Sequence, residues 1–144
     1  MFQGIGIGFL FKQIHDAFEA EANNQLQKMD LTMSQLAVLC FLFKNENREV
    51  TQREIENYLN LKHPTVTGIL QRMEMKGFVS CSKNCDDKRQ KNISLTEKAL
   101  ELRKRINVRL TQMEDRLVDG LTKDERLMLN ELLDKVYNNV TVRM

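Results

Sequence analysis

The chain has 144 residues, 42% of them apolar and 29% charged, with one proline, six glycines and a formal net charge of +2. That length suits one compact domain burying about two-thirds of the surface its unfolded chain exposes, and the composition excludes a disordered or fibrous protein in favour of an ordered, helix-rich one. Three cysteines, Cys40, Cys81 and Cys85, are too few and too unevenly placed to staple a small secreted domain.

A charge of +2 does not identify a nucleic-acid binder, so the distribution of charge carries the argument. Between Lys62 and Lys91 stand seven basic residues (Lys62, Arg72, Lys76, Lys83, Lys88, Arg89, Lys91) against three acidic ones (Glu74, Asp86, Asp87), an excess of four that leaves the rest of the chain at −2. Positive charge is concentrated in the middle.

The opening MFQGIGIGFLFK is apolar, but no basic residue precedes it, no small-residue cleavage site follows, and it is far shorter than a membrane span. A cytoplasmic protein with no membrane partner is expected. Apolar residues then recur at Ile7, Leu10, Phe11, Ile14, Phe18, Ala22 and Leu26, spacings of three and four that predict a helix with one apolar stripe in need of a partner. In DLTMSQLAVLCFLFKN, Thr32 or Ser34 can cap a second helix whose face carries Leu36, Leu39, Cys40 and Phe43; being nearly apolar throughout, it reads as a core helix, with Cys40 in the core.

EVTQREIENYLNL contains a capping box, Thr51 with Glu54, ahead of a helix burying Ile55, Tyr58 and Leu59. Pro64 suits the first turn of the next helix, Val66, Ile69, Leu70 and Met73 form its core stripe, and Gly77 ends it. Two short helices joined by a few residues read as helix-turn-helix. FVSCS and KNISL are strand-like, with the polar run from Lys83 to Gln90 as the loop of a hairpin between them. Together they predict a winged helix. A long helix follows from Thr96, with Ala99, Leu102, Ile106, Leu110, Met113 and Leu117 on one stripe, and a last one begins at a second capping box, Thr122 with Glu125, and carries Leu129, Leu132, Leu133, Val136 and Val140. The fold class is mainly α with a small β-hairpin (α+β).

The stripe of the helix after Pro64 fixes its buried side, so Thr65, Thr67, Gly68, Gln71 and Arg72 fall mostly on the other, where no acidic residue stands among them. Such a face suits a major groove: Gln pairs with adenine, Arg with guanine, Thr with a thymine methyl or a phosphate. Solvated helix residues look the same in isolation; the adjacent hairpin and local charge favour DNA. At the hairpin tip Arg89 fits a narrow minor groove, with Asp87 pairing its guanidinium and Lys83, Lys88 and Lys91 on phosphates. The bland alternative has Asp86 and Asp87 balancing lysines in solvent. Histidines His15 and His63 and the cysteines show no clustered metal-ligand spacing, so neither metal nor other cofactor is expected, and no catalytic set is present.

The stretches LTMSQLAVL, VTQREIENYLNLKHPTVTGILQRMEMKGFV, the Asp-x-Arg of DDKRQKNISLT, and LTEKAL, in this order over about residues 31 to 100, resemble the MarR family of transcription regulators. The resemblance implies a single domain over 1–144, with a winged helix-turn-helix lobe at 31–96 and dimerisation helices at 1–30 and 97–144. It implies a non-enzymatic homodimer on a roughly palindromic operator in double-stranded DNA, repressor-like, with Thr65, Thr67, Gln71 and Arg72 on the major-groove helix and Asp87 and Arg89 in the wing motif. Family members commonly sense a small, often aromatic and anionic effector between the dimerisation helices and the DNA-binding lobe; others sense thiol oxidation or metals. Two positions depart: Ala99 stands where Gly is frequent, and Gly68 where a larger side chain is. The alternatives are a winged-helix protein-interaction module and a thiol-based redox sensor, since Cys81 and Cys85 lie beside Lys83, Lys88 and Arg89, a setting that lowers thiol pKa values.

Overall fold

The computed structural model describes residues 6–142; the first five residues of the apolar N-terminal run and the last two of the 97–144 helical region lie outside it. Its elements in chain order are α1 (Ile7–Gln27), α2 (Met33–Lys44), β1 (Val50–Thr51), α3 (Gln52–Leu59), α4 (His63–Met75), β2 (Val79–Lys83), β3 (Lys91–Leu95), α5 (Glu97–Leu117) and α6 (Lys123–Thr141). The fold is mainly helical with one small antiparallel sheet, as the sequence predicts. Two compact units divide it, Met1–Arg109 and Leu110–Met144.

Helix starts in the first unit are set by local chemistry. Thr32 and Gln35 bond each other's backbone N–H reciprocally, so Thr32, not Ser34, caps α2. Thr51 and Glu54 do the same for α3. Each such cap is worth about 1 kcal/mol because it satisfies amide protons that the first helical turn leaves orphaned. Helix α4 ends in a full Schellman arrangement: Phe78 N–H donates to Met73 O at 2.9 Å and Gly77 N–H to Glu74 O at 3.0 Å. Gly77 makes this possible with φ +79°, a conformation a side chain resists. The turn delivers Phe78 into the core and aims β2 away from the helix.

The core joins α2, α3, α4 and the sheet through Val38, Leu39, Val50, Ile55, Val66, Met73 and Val79, all 2% exposed or less. Deleting one of these, as in Leu39→Ala, removes about 2–5 kcal/mol of transfer and cavity energy. Ala99, Leu102 and Ile106 of α5 are buried as their stripe predicts.

Three details differ from the sequence reading. The hairpin gains a third strand: β1 pairs with β3 through Val50↔Ile93 and Thr51↔Asn92, giving the order β1-β3-β2. Two residues leave too short a pattern to read, and Thr51 also caps α3. Tyr58 is half exposed, its ring stacked on Phe41 at 4.6 Å rather than buried. Cys40 is only half-buried, because α2 turns Leu36, Val38, Leu39 and Leu42 inward.

The apolar stripe of α1 is buried at its C-terminal end by Ala22 and Leu26, Phe11 and Phe18 are half-buried, and Ile7, Leu10 and Ile14 face solvent. In the second unit, α6 starts at the Thr122–Glu125 capping box and buries no residue. It exposes Leu127, Leu132, Leu133, Tyr137 and Val140.

Candidate nucleic-acid interface

Helix α4 is held at both ends. Near its start Gln52, 4% exposed at the head of α3, donates its amide protons to Thr67 Oγ1 at 2.8 Å and Glu56 Oε1 at 3.2 Å. At its C-terminus Lys76 Nζ donates to Asp30 O at 2.8 Å and Gln35 Oε1 at 3.1 Å, tying the helix to the turn between α1 and α2. Gln35, 2% exposed, thus accepts from both Lys76 and the Thr32 backbone N–H, which satisfies its buried carbonyl. Both glutamines escaped the sequence reading, although each had a signal: a polar residue on an apolar helical stripe, Gln52 with Ile55 and Leu59, Gln35 with Leu39 and Leu42.

Of the residues expected on the groove-facing side, Thr65, Gln71 and Arg72 are exposed. Thr67 is half-buried and its hydroxyl is engaged by Gln52. A Cβ on Gly68 would lie 3.6 Å from Arg72 Nη2, an ordinary van der Waals contact, so the Arg72 guanidinium lies beside Gly68 without requiring the glycine.

Strands β2 and β3 pair from Val79↔Leu95 to Lys83↔Lys91. Two lysines directly opposite each other are locally unfavourable; they concentrate positive potential at the base of the wing. Glu74 of α4 braces β2 by accepting from Cys81 N–H at 2.9 Å. The tip is an ordered turn. Asn84 Oδ1 accepts from the N–H groups of Asp86 and Asp87, and Asn84 N–H donates to Gln90 O. Asn84 Nδ2 reaches buried Asn92, which in turn reaches Glu49. Asp87 Oδ1 accepts from the backbone N–H of Arg89 at 3.0 Å. The expected side-chain pair is therefore corrected: in a turn the carboxylate finds an amide proton two residues on, and no ion pair joins Asp87 to the Arg89 guanidinium among the described residues. Lys83, Asp87, Lys88, Arg89 and Lys91 are all exposed.

A groove of about 420 Å³ between α3, the start of α4 and the wing brings Arg89 and Lys91 beside Arg53, Glu56 and His63. Arg53 and His63 were not expected here; only the packing of α3 against the sheet brings them to the wing.

The thiol chemistry differs from expectation as well. Burial, reinforced by a hydrogen bond and the negative charge of Glu74, pushes the Cys81 thiol up to about 11, so neighbouring lysines do not activate it. Burial also raises Cys40; Cys85 is exposed. On α1, His15, Asp16 and Glu19 cluster on an exposed face that the sequence spacing did not suggest. They are already paired, Lys12 with Asp16, whose carboxyl it lowers, and His15 with Glu19 at 3.5 Å. Among the described residues no helix is long and apolar enough to cross a membrane.

A helix-turn-helix braced by buried glutamines, beside a three-stranded sheet with a basic hairpin, defines a winged helix-turn-helix protein. The MarR family profile matches residues 31–91. Over 112 residues the chain is 34% identical to the HTH-type transcriptional regulator YwoH of Bacillus subtilis (strain 168), spanning 78% of this chain and 80% of that one. It is 29% identical over 128 residues to the HTH-type transcriptional repressor IacR of Pseudomonas putida, spanning 89% and 75%. The MepR chain of a Staphylococcus aureus MepR–DNA complex superposes with a TM-score of 0.80 at 26% identity, covering 95% of this chain and 99% of that one. The chain belongs to the MarR family. It is a transcription regulator of that type, not an enzyme.

Proposed function

We propose that the protein is a homodimeric repressor that binds a roughly palindromic operator, with α4 in the major groove and the wing on the adjacent backbone and minor groove. The carrying observation is the surface itself: Thr65, Gln71 and Arg72 lie exposed on one helix, while Lys83, Lys88, Arg89 and Lys91 stand on an ordered hairpin beside it. Gln71 and Arg72 read bases and the lysines contact phosphates. Thr67, braced by Gln52, offers its methyl group, and Asp87 acts by shaping the turn under Arg89. DNA binding by the similar MepR and the repressor name of IacR support this reading.

Homodimerisation accounts for the uncovered leucine, tyrosine and valine side chains of α6 and the exposed end of the α1 stripe, which a second copy would remove from water. A cleft of about 420 Å³ lies between the α1–α2 turn and α5. Phe78 lies in it with Lys98 Nζ 4.9 Å from its ring centroid, and Lys28 and Arg105 stand on its rim. Lys28, Lys98 and Arg105 offer three cations to an anionic group there, so this cleft is the proposed effector site. A thiol-sensor reading gains nothing from Cys81, whose raised pKa disfavours the reactive thiolate.

The test is an equilibrium titration of labelled duplex DNA at several salt concentrations, alongside sedimentation of the free protein. Binding by a dimer is expected, its log affinity falling with log salt by roughly 0.9 for each phosphate contacted. A chain that retains no duplex at low salt has another function, with docking of a protein partner the next to examine.

A further inference from the structure

We infer that the groove between α3, α4 and the wing receives a backbone phosphate of DNA, and that His63 makes this contact only when protonated, so that duplex binding takes up a proton. The inference rests on the proposed DNA-binding function and adds to it a residue and a pH dependence.

The hydrogen bonds around His63 decide which ring nitrogen titrates. Its Nδ1 lies 2.5 Å from Glu56 Oε1. Gln52 Nε2 is also 3.3 Å from Nδ1, but an amide nitrogen has two protons, and those of Gln52 go to Thr67 Oγ1 and Glu56 Oε1. The reverse amide orientation would set an oxygen against the carboxylate. Nδ1 therefore carries a proton and donates it to Glu56 whether the ring is neutral or charged. Titration falls on Nε2, on the far side of a ring whose side chain is 72% exposed.

A neutral His63 turns a lone pair outward at Nε2, which repels phosphate oxygens. A protonated one turns an N–H outward and carries a full positive charge. Imidazole is the side chain that makes this change in the ordinary pH range. The charged groups around it come from every neighbouring element: Glu56 and Arg53 from α3, Lys62 beside it in the chain, and Arg89 and Lys91 from the wing. A phosphate entering this groove adds negative charge beside Nε2 and favours the protonated ring, which is the condition for proton uptake on binding.

Sequence offers a clean dissection, because His15 and His63 are the only histidines. Wild type, His63→Gln, His63→Arg and His15→Gln are titrated with one duplex at fixed salt between about pH 6 and about pH 8. Wild type and His15→Gln should bind roughly fivefold tighter or more at the acidic end. His63→Gln should bind with the weak affinity of the alkaline end throughout, and His63→Arg tightly throughout. A pH response in His63→Gln equal to that of wild type overturns the inference while leaving DNA binding intact. No binding of duplex by any variant at any pH overturns the DNA-binding reading and this inference with it.

Discussion

Asp87 accepts a hydrogen bond from the backbone N–H of Arg89 at 3.0 Å, which curls the wing tip under the arginine and leaves its guanidinium directed at no carboxylate of the described residues. The two side chains therefore act in series: one shapes the turn and the other touches DNA. Asn can replace a carboxylate in such a turn, so Asp87→Asn should keep duplex affinity near the wild-type value. Asp87→Ala should lose about two- to tenfold, the worth of one hydrogen bond. Arg89→Ala should lose more and leave the sedimentation of the free protein unchanged. A loss in Asp87→Asn as large as that in Asp87→Ala would mean that charge, and not turn geometry, is what Asp87 supplies.

Gln71 stands exposed on α4 and is assigned a base edge, so Gln71→Ala should change preference more than strength. Discrimination at one base pair of each half-site should fall by about 1–3 kcal/mol, visible as a levelling of affinities across operator variants at fixed salt. Equal weakening for every variant would assign Gln71 to the phosphate backbone instead.

Gln52 is buried and joins Glu56 and Thr67 through one amide. Gln52→Leu fills similar volume but strands the Thr67 hydroxyl, while Glu56 keeps His63 as a partner, so urea unfolding should show a loss of about 1–3 kcal/mol. The double variant Gln52→Leu/Thr67→Val removes the stranded hydroxyl and should recover part of that loss. Additive losses in the double variant would show that the two side chains are not coupled.

Cys81 has its thiol pKa raised from 9.0 to about 11 by burial and Glu74. At pH 8 roughly one thiol in a thousand is then ionised, so alkylation of Cys81 in the folded protein should be slow and should accelerate as pH approaches 11. The same shift has a stability consequence. The folded state holds the proton more tightly, so this contribution is fully present below about pH 9 and is lost as pH rises toward 11. Mass spectrometry after iodoacetamide treatment of Cys85→Ser measures the rate directly, and fast labelling at pH 8 would contradict the raised value.

What the sequence made legible follows the range of the interactions involved. Helices α1 to α6, both predicted capping boxes, the stop at Gly77 and the hairpin rest on contacts within a few residues, and periodicity or turn chemistry reports them. The exposed positions of Thr65, Gln71 and Arg72 followed because the apolar stripe of α4 is unambiguous. Strand β1 did not, since two residues paired across forty carry no period of their own. Likewise Lys76 reaches Asp30, Asn92 reaches Glu49, and Arg53 and His63 meet the wing only through the tertiary packing of α3 on the sheet. The expected Asp87–Arg89 side-chain pair differs for a related reason: Asn84 folds the tip into a turn, where Asp87 meets the backbone N–H of Arg89 instead.

The central claim is that the α4 and wing surface reads a two-fold symmetric DNA site as part of a dimer. Selection of bound duplexes from a random pool, followed by sequencing, tests it most directly. The account predicts enrichment of an inverted repeat whose half-sites lie about one helical turn, roughly 10 base pairs, apart. It also predicts that a pool selected with Gln71→Ala loses preference at one position in each half. Enrichment of a single asymmetric site, or recovery of no duplex above background at low salt, would contradict it.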